Sequence, residues 1–149
     1  MNAVATDIKS RISAGVLSKD ICILHRENRK CYSCLKRLEE RDISALVLQK
    51  NQADDPEIEG VRIATMHRVK GMEFRFVYIV GMTSSNLPPH NIVEKAENED
   101  DRNDLMKQEA NLLSVAISRA KEAVWISYCK EPSLLLENLQ STSIHHLPN

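Results

Sequence analysis

The sequence predicts an α/β protein, an open and mostly parallel sheet with helices on both faces. Three observations predict it. Ile21-Cys22-Ile23-Leu24 and Phe76-Val77-Tyr78-Ile79-Val80 are nearly continuous apolar runs, as in strands covered on both sides. Stretches of helical spacing alternate with such runs along the chain. The chemically unusual residues follow strand ends, where the ligands of such sheets gather.

The elements follow in order. Val4, Ile8 and Ile12 recur at four-residue spacing with Gly15 as a stop, which predicts a short amphipathic helix and, with its link, an N-terminal unit over 1–19. Ile21 to Leu24 is the first strand. Glu27 to Arg41 is helical in composition, with Cys31, Leu35 and Leu38 on one face. Ala45 to Leu48 is a second strand, and Asn51 to Gly60 a polar, acidic link that turns near Asp54-Asp55-Pro56. Val61 to Thr65 and Phe76 to Val80 are the third and fourth strands. A long charged loop over 83–102 contains Pro88-Pro89 and exceeds the usual connection length. A helix from about Asn103 to Glu122, a fifth strand from Val124 to Tyr128, a last short helix from Pro132 through Leu139 and a polar tail over 140–149 complete a single domain of 149 residues. There are no internal repeats.

Composition excludes several classes. No apolar run approaches the roughly 20 residues that cross a bilayer, and Met1 to Ala14 lacks a signal-type apolar core. The expectation is a cytoplasmic protein with reduced thiols. Cys31 and Cys34 form a C-x-x-C, but no second ligand pair follows at zinc-site spacing, so packing is the expected role. Net charge is −1 and aromatics are 4%, which argues against a self-sufficient nucleic-acid module.

Three segments carry the candidate chemistry. In Ile23-Leu24-His25-Arg26-Glu27-Asn28 a buried strand ends in Arg26, placed for an anion over the sheet edge or simply solvated there. In Ile63-Ala64-Thr65-Met66-His67-Arg68-Val69-Lys70-Gly71-Met72-Glu73-Phe74 a strand ends in a hydroxyl and passes through His67, Arg68 and Lys70 to a turn at Gly71. Free amides with hydroxyl and basic side chains suit a phosphate backbone, and Glu73 suits a sugar hydroxyl or a neighbouring cation; by itself the turn also reads as simply a basic loop. In the helix holding Glu109 to Lys121, apolar Leu112, Leu113, Val115, Ala116 and Ala120 wrap most of the surface and Arg119 stands at the end. A buried guanidinium needs an anion, whether an internal carboxylate or a phosphate.

In this order and spacing the segments resemble helicase motifs IV, V and VI of the superfamily-one UvrD/Rep/PcrA group. Residues 63–74 follow the family's T-x-H-x-x-K-G-L-E-F pattern, Val-Ala-Ile-Ser-Arg-Ala-Lys (115–121) its V-A-x-[TS]-R-A-[KR], and residues 23–28 the weaker I-L-x-R-x-N. The resemblance covers about Asp20 to Tyr128, within a motif core of 20–130. Ser114 stands where the family often has tyrosine, and Ala110 and Asn111 where it often has arginines, while Glu109 is kept.

The resemblance implies a RecA-like fold and the second motor half of a DNA helicase. Its partners would be single-stranded DNA and the N-terminal RecA-like half of the same helicase, its cofactor ATP with magnesium. Arg26 and Arg119 would be arginine fingers to the γ-phosphate. Glu73 would meet the ribose, with Gly71 beside it, and Thr65, His67, Arg68 and Lys70 would lie on the DNA track. No G-x-x-x-x-G-K-[ST] and no Gly-Lys pair occur, so the chain lacks the phosphate loop and is not expected to hydrolyse ATP alone. Asn28 and Ile63 are only 35 residues apart, too close for the domain many relatives insert there. The alternative is a stand-alone helicase-like interaction or regulatory module, distinguished by having no motor half encoded upstream.

Overall fold

The computed structural model describes residues 1–49, 53–89, 93–94 and 96–136. One sheet holds β1 (Ile21–His25), β2 (Ala45–Val47), β3 (Val61–Thr65), β4 (Phe74–Val80) and β5 (Ala120–Ser127), in the order β2-β3-β1-β4-β5. Every pairing is parallel, as predicted. Helices α1 (Asn2–Ser13), α2 (Asn28–Glu39) and α3 (Glu99–Ile117) cover its two faces.

Alternation along the strands divides the core. Ile21, Ile23, Val61, Ile63, Phe76 and Tyr78 pack with Val4, Ala5 and Ile8 of α1 and with Cys31, Cys34 and Leu38 of α2. Cys22, Leu24, Ala64, Val77 and Ile79 pack on the other side with Leu113 and Ala116 of α3. Arg11 pins α1 to the sheet: its guanidinium lies 4.0 Å over the Trp125 ring and 4.4 Å over Phe76, and bonds Asp7 at 2.9 Å and the Tyr78 hydroxyl at 2.8 Å. Gly15, at φ +92°, turns the chain out of α1 at the predicted stop.

The connection after β1 runs toward β2, and the one after β4 runs the other way toward β5. Neighbouring strands whose connections diverge leave a crevice at their carboxyl ends. A cleft of about 380 Å³ lies there, with His25 and Arg26 on one wall and Gly81, Thr83, Ser127 and Tyr128 on the other.

Several boundaries differ from the sequence expectation. Helix α3 begins four residues early, because the Asn98 side chain accepts from the Asp101 amide at 2.8 Å and caps it. Glu99, Asp100 and Asp101 then fill a first turn whose dipole favours them. The helix also ends early, at Ile117, so Ala120, Lys121 and Glu122 are strand and not helix. The Phe74 amide bonds the Arg119 carbonyl at 2.9 Å and draws the chain into the sheet. Pairing across strands thus overrides the helical propensity of Ala-Lys-Glu. Val115, expected among the wrapped apolar positions, is 38% exposed.

The loop after β4 is anchored at its start. Thr83 bridges Pro132, Leu87 is buried, and the Ser133 hydroxyl donates to the Leu87 carbonyl at 2.7 Å. The last predicted helix contributes a single 3-10 turn, Leu134–Leu136. Pro132 and Ser133 of that stretch are not helical, and 137–139 with the polar tail lie outside the described residues. Among these residues no helix is long and apolar enough to cross a membrane.

Cys31 and Cys34 are buried on α2 as packing residues. Burial pushes their thiols up to about 11 and about 12. Among the described residues no group of three or more His, Cys, Asp or Glu side chains is placed to hold a metal ion.

Candidate functional site

The predicted site residues fall into two groups on opposite edges of the sheet. Strand register fixes the separation: Leu24 pairs Ile79, and Phe74 pairs Ala120. Arg26 therefore stands level with Gly81, and Arg119 level with Glu73. Roughly eight residues, about 26 Å along the strands, lie between those backbones.

The first group lies at the carboxyl edge. His25 pairs Thr65 in register, and the Met66 amide donates to the His25 carbonyl at 3.0 Å. This hydrogen bond ties the end of β1 to the start of the turn carrying His67. Thr65 is half-buried, and its hydroxyl makes no hydrogen bond among the described residues. His67 is exposed, and its pKa is lowered first by partial burial and then by the nearby Arg26 charge, against an opposing pull from Glu109. Arg26 reaches across to α3 and is gripped by Glu109, Nε to one carboxylate oxygen at 2.8 Å and Nη2 to the other at 2.7 Å. Arg26, read from sequence as facing an anion over the sheet edge or solvent, instead meets an internal carboxylate. His25 beside it is lowered to about 4, chiefly by burial and next by Lys30, and its buried Nε2 has no hydrogen-bond partner among the described residues.

The second group lies at the amino edge. Arg119 sits in the turn between α3 and β5. Its Nε donates to the Val115 carbonyl at 3.1 Å, Nη1 to the Met72 carbonyl at 3.3 Å and Nη2 to the Ser118 hydroxyl at 2.9 Å. All three acceptors are neutral. Arg119 makes no ion pair among the described residues, so its charge is held in place without being cancelled. Two of its five N–H donors are left over. Glu73 is exposed beside it and paired with Lys121 at 3.0 Å.

The turn from Thr65 to Glu73 joins the two edges. Val69 is fully buried under it. Arg68 bonds the Gln49 carbonyl at 2.8 Å. Lys70 is exposed with no ion pair among the described residues. Gly71 has φ +83° with open space around it, so its backbone angle, not crowding, calls for glycine.

Arg26 and Arg119, expected to converge on one phosphate, are not brought together. Glu109, which holds one, and Val115, whose carbonyl holds the other, are six residues or about 9 Å apart along α3. Arg26 belongs with Thr65 and His67, and Arg119 with Glu73. Sequence reading also passed over Arg62. It is 1% exposed on β3 and bonds Asp54 at 3.1 and 3.2 Å, the Ile58 and Gly60 carbonyls at 2.7 and 2.8 Å and the Asp55 carbonyl at 2.8 Å. A lone arginine in an apolar strand, just after an Asp-Asp pair, was the available signal.

Comparison with known proteins places this geometry. Residues 44–131, more than half of the chain, match the UvrD-like helicase C-terminal domain. The ATP-dependent DNA helicase PcrA of Staphylococcus aureus (strain Mu50) is 35% identical over 107 residues, 70% of this chain and 14% of its own length. PcrA of Staphylococcus epidermidis is 40% identical over 83 residues, 56% of this chain and 10% of its own. The YjcD protein of Bacillus subtilis (strain 168) is 35% identical over 79 residues, 53% of this chain and 10% of its own. The chain thus spans a seventh or less of the length of these relatives. The crystal structure of the C-terminal domain of a "possible DNA helicase" from Lactobacillus plantarum WCFS1 has the same fold, at TM-score 0.60 and 21% identity, over 91% of this chain and 70% of that one. With the matched segment running from β2 through β5, and so through the turn at Gly71 and the end of α3, the chain belongs to the UvrD-like helicase C-terminal domain family.

Proposed function

We propose that this chain is the C-terminal motor half of an ATP-dependent DNA helicase. It supplies Arg119 and Glu73 to an ATP site completed by a separate half, and offers its carboxyl edge to single-stranded DNA. The observation that carries the reading is the state of Arg119, a fixed guanidinium whose partners among the described residues are all neutral, with donors to spare. A charge held ready against a transferring phosphoryl needs no reorganisation as negative charge builds on it. Glu73 takes a ribose hydroxyl by exchanging its exposed partner Lys121, and Gly71 shapes the turn that presents it. The phosphate loop and the magnesium ligands come from the other half.

Thr65, His67 and Arg26 meet DNA phosphates at the carboxyl edge, and Arg26 also lines the cleft there with Lys30, Arg37, Thr83 and Ser127. Arg26 belongs there and not at the γ-phosphate, because it shares the carboxyl edge with Thr65 and His67 and lies on the opposite edge of the sheet from Arg119. Arg68 and Lys70 lie along the turn between the two edges, and α3 spans them as one rigid element. The intact protein tests the reading: Arg119→Ala leaves folding and DNA binding nearly unchanged while ATP turnover falls by about 10³ or more. An Arg119→Ala protein with full turnover removes the arginine-finger assignment.

A further inference from the structure

We propose that Glu109 is a positioning residue for phosphate recognition at the carboxyl edge, acting through Arg26. The inference rests on the proposed role of that edge in binding single-stranded DNA. Glu99, Asp100, Asp101, Arg102, Asp104 and Lys107 on α3 are all exposed. Glu109 alone among the charged residues of this helix is buried, at 6% exposure. A buried carboxylate is costly unless its lone pairs are matched, and here both oxygens are taken by one guanidinium.

The way they are taken matters. A guanidinium has two edges that can grip an oxyanion, the side edge of Nε and Nη2 and the end edge of Nη1 and Nη2. Glu109 occupies the side edge. Nη1 has no partner among the described residues, and Arg26 lines the cleft with 18% of its side chain exposed. The end edge is therefore left open, and the buried carboxylate fixes its direction. Glu109 also cancels the charge of Arg26, so what it adds is aim and not attraction. A lysine at 26 has no second edge to be aimed.

The same helix reaches Arg119 through Ile117 and Ser118. The Arg26–Glu109 clamp thus joins the carboxyl edge to the element that positions Arg119.

The test is fluorescence anisotropy of a labelled oligothymidylate on the full chain at low salt. Wild type is compared with Glu109→Gln, Arg26→Ala and the double variant, and circular dichroism melts establish that each is folded. Glu109→Gln keeps the side-chain volume and one acceptor. It is expected to weaken binding roughly three- to tenfold, about the worth of one misaimed charged hydrogen bond. Because the pair carries no net charge, the slope of log affinity against log salt should not fall along with the affinity, which marks the loss as one of aim and not of charge. A merely structural clamp would lower the melting temperature and leave binding well below that temperature unchanged. The double variant should bind no worse than Arg26→Ala, because Glu109 acts only through Arg26.

If Glu109→Gln binds as well as wild type or tighter while Arg26→Ala binds more weakly, Glu109 does not aim Arg26 and the positioning role is overturned, with the reading of the edge intact. If Arg26→Ala binds as wild type does, the assignment of Arg26 to that edge fails and takes this inference with it.

Discussion

Acidification from about pH 7 to about pH 5 should destabilise the fold through His25, by an amount the structure allows to be worked out. His25 ends β1 with its Nε2 buried and without a hydrogen-bond partner among the described residues, and burial holds its pKa at about 4 against an ordinary 6.5. The folded chain keeps this imidazole neutral, whereas the unfolded chain protonates it below about 6.5. Protons therefore favour the unfolded state. The stability is fully present above about pH 6.5 and is lost as the pH falls toward about 4. The two pKa values give a loss of about 1 kcal/mol at pH 6 and about 2 kcal/mol at pH 5. For a chain of this length that is roughly 4 to 8 °C of melting temperature.

The assay is a pair of thermal or urea melts at each pH on wild type and His25→Phe, which fills similar space without a titrating nitrogen. His67, also lowered, contributes with the same sign. The difference between the two proteins isolates His25. Wild type should lose about 2 kcal/mol more than His25→Phe between pH 7 and pH 5. Parallel curves over that range would refute the argument, because they would mean that the imidazole is solvated or finds a partner when charged.

Two further outcomes follow from burial. Arg62→Ala removes the group that holds Asp54 and the carbonyls of Asp55, Ile58 and Gly60, so it should destabilise by about 3 to 5 kcal/mol, visible as a lower urea midpoint; a loss below about 1 kcal/mol would mean that the link over 53–60 is satisfied by water instead. Near pH 8 a thiol reagent should titrate Cys129 quickly in the folded chain and Cys22, Cys31 and Cys34 only on unfolding, since burial raises all three. Fast reaction of more than one thiol would show that the α2 core opens readily.

The residues themselves determined the sheet and the identity of its motifs. Apolar runs such as Ile21 to Leu24 and Phe76 to Val80 have no stable place except covered on both faces, so an open parallel sheet could be read directly. The Thr-x-His-x-x-Lys-Gly turn and the Ser-Arg-Ala-Lys segment were visible for a similar reason, because their residue types sit at fixed spacing within one or two turns of chain. Boundaries were less visible where a distant partner decides. Ala120 to Glu122 have helical propensity and become strand only because Phe74 bonds the Arg119 carbonyl.

Only the tertiary structure decided how the site residues are grouped. Arg26 and Arg119 are alike in sequence, each a guanidinium just past an apolar run, and nothing local distinguishes them. Parallel packing puts one at the carboxyl ends of the strands and the other at the amino ends. Folding then brings Glu109, 83 residues away, onto Arg26 and leaves Arg119 among neutral acceptors. Whether an arginine is neutralised or kept ready depends on the charge that lies within a few ångströms in space, and spacing along the chain carries no such information.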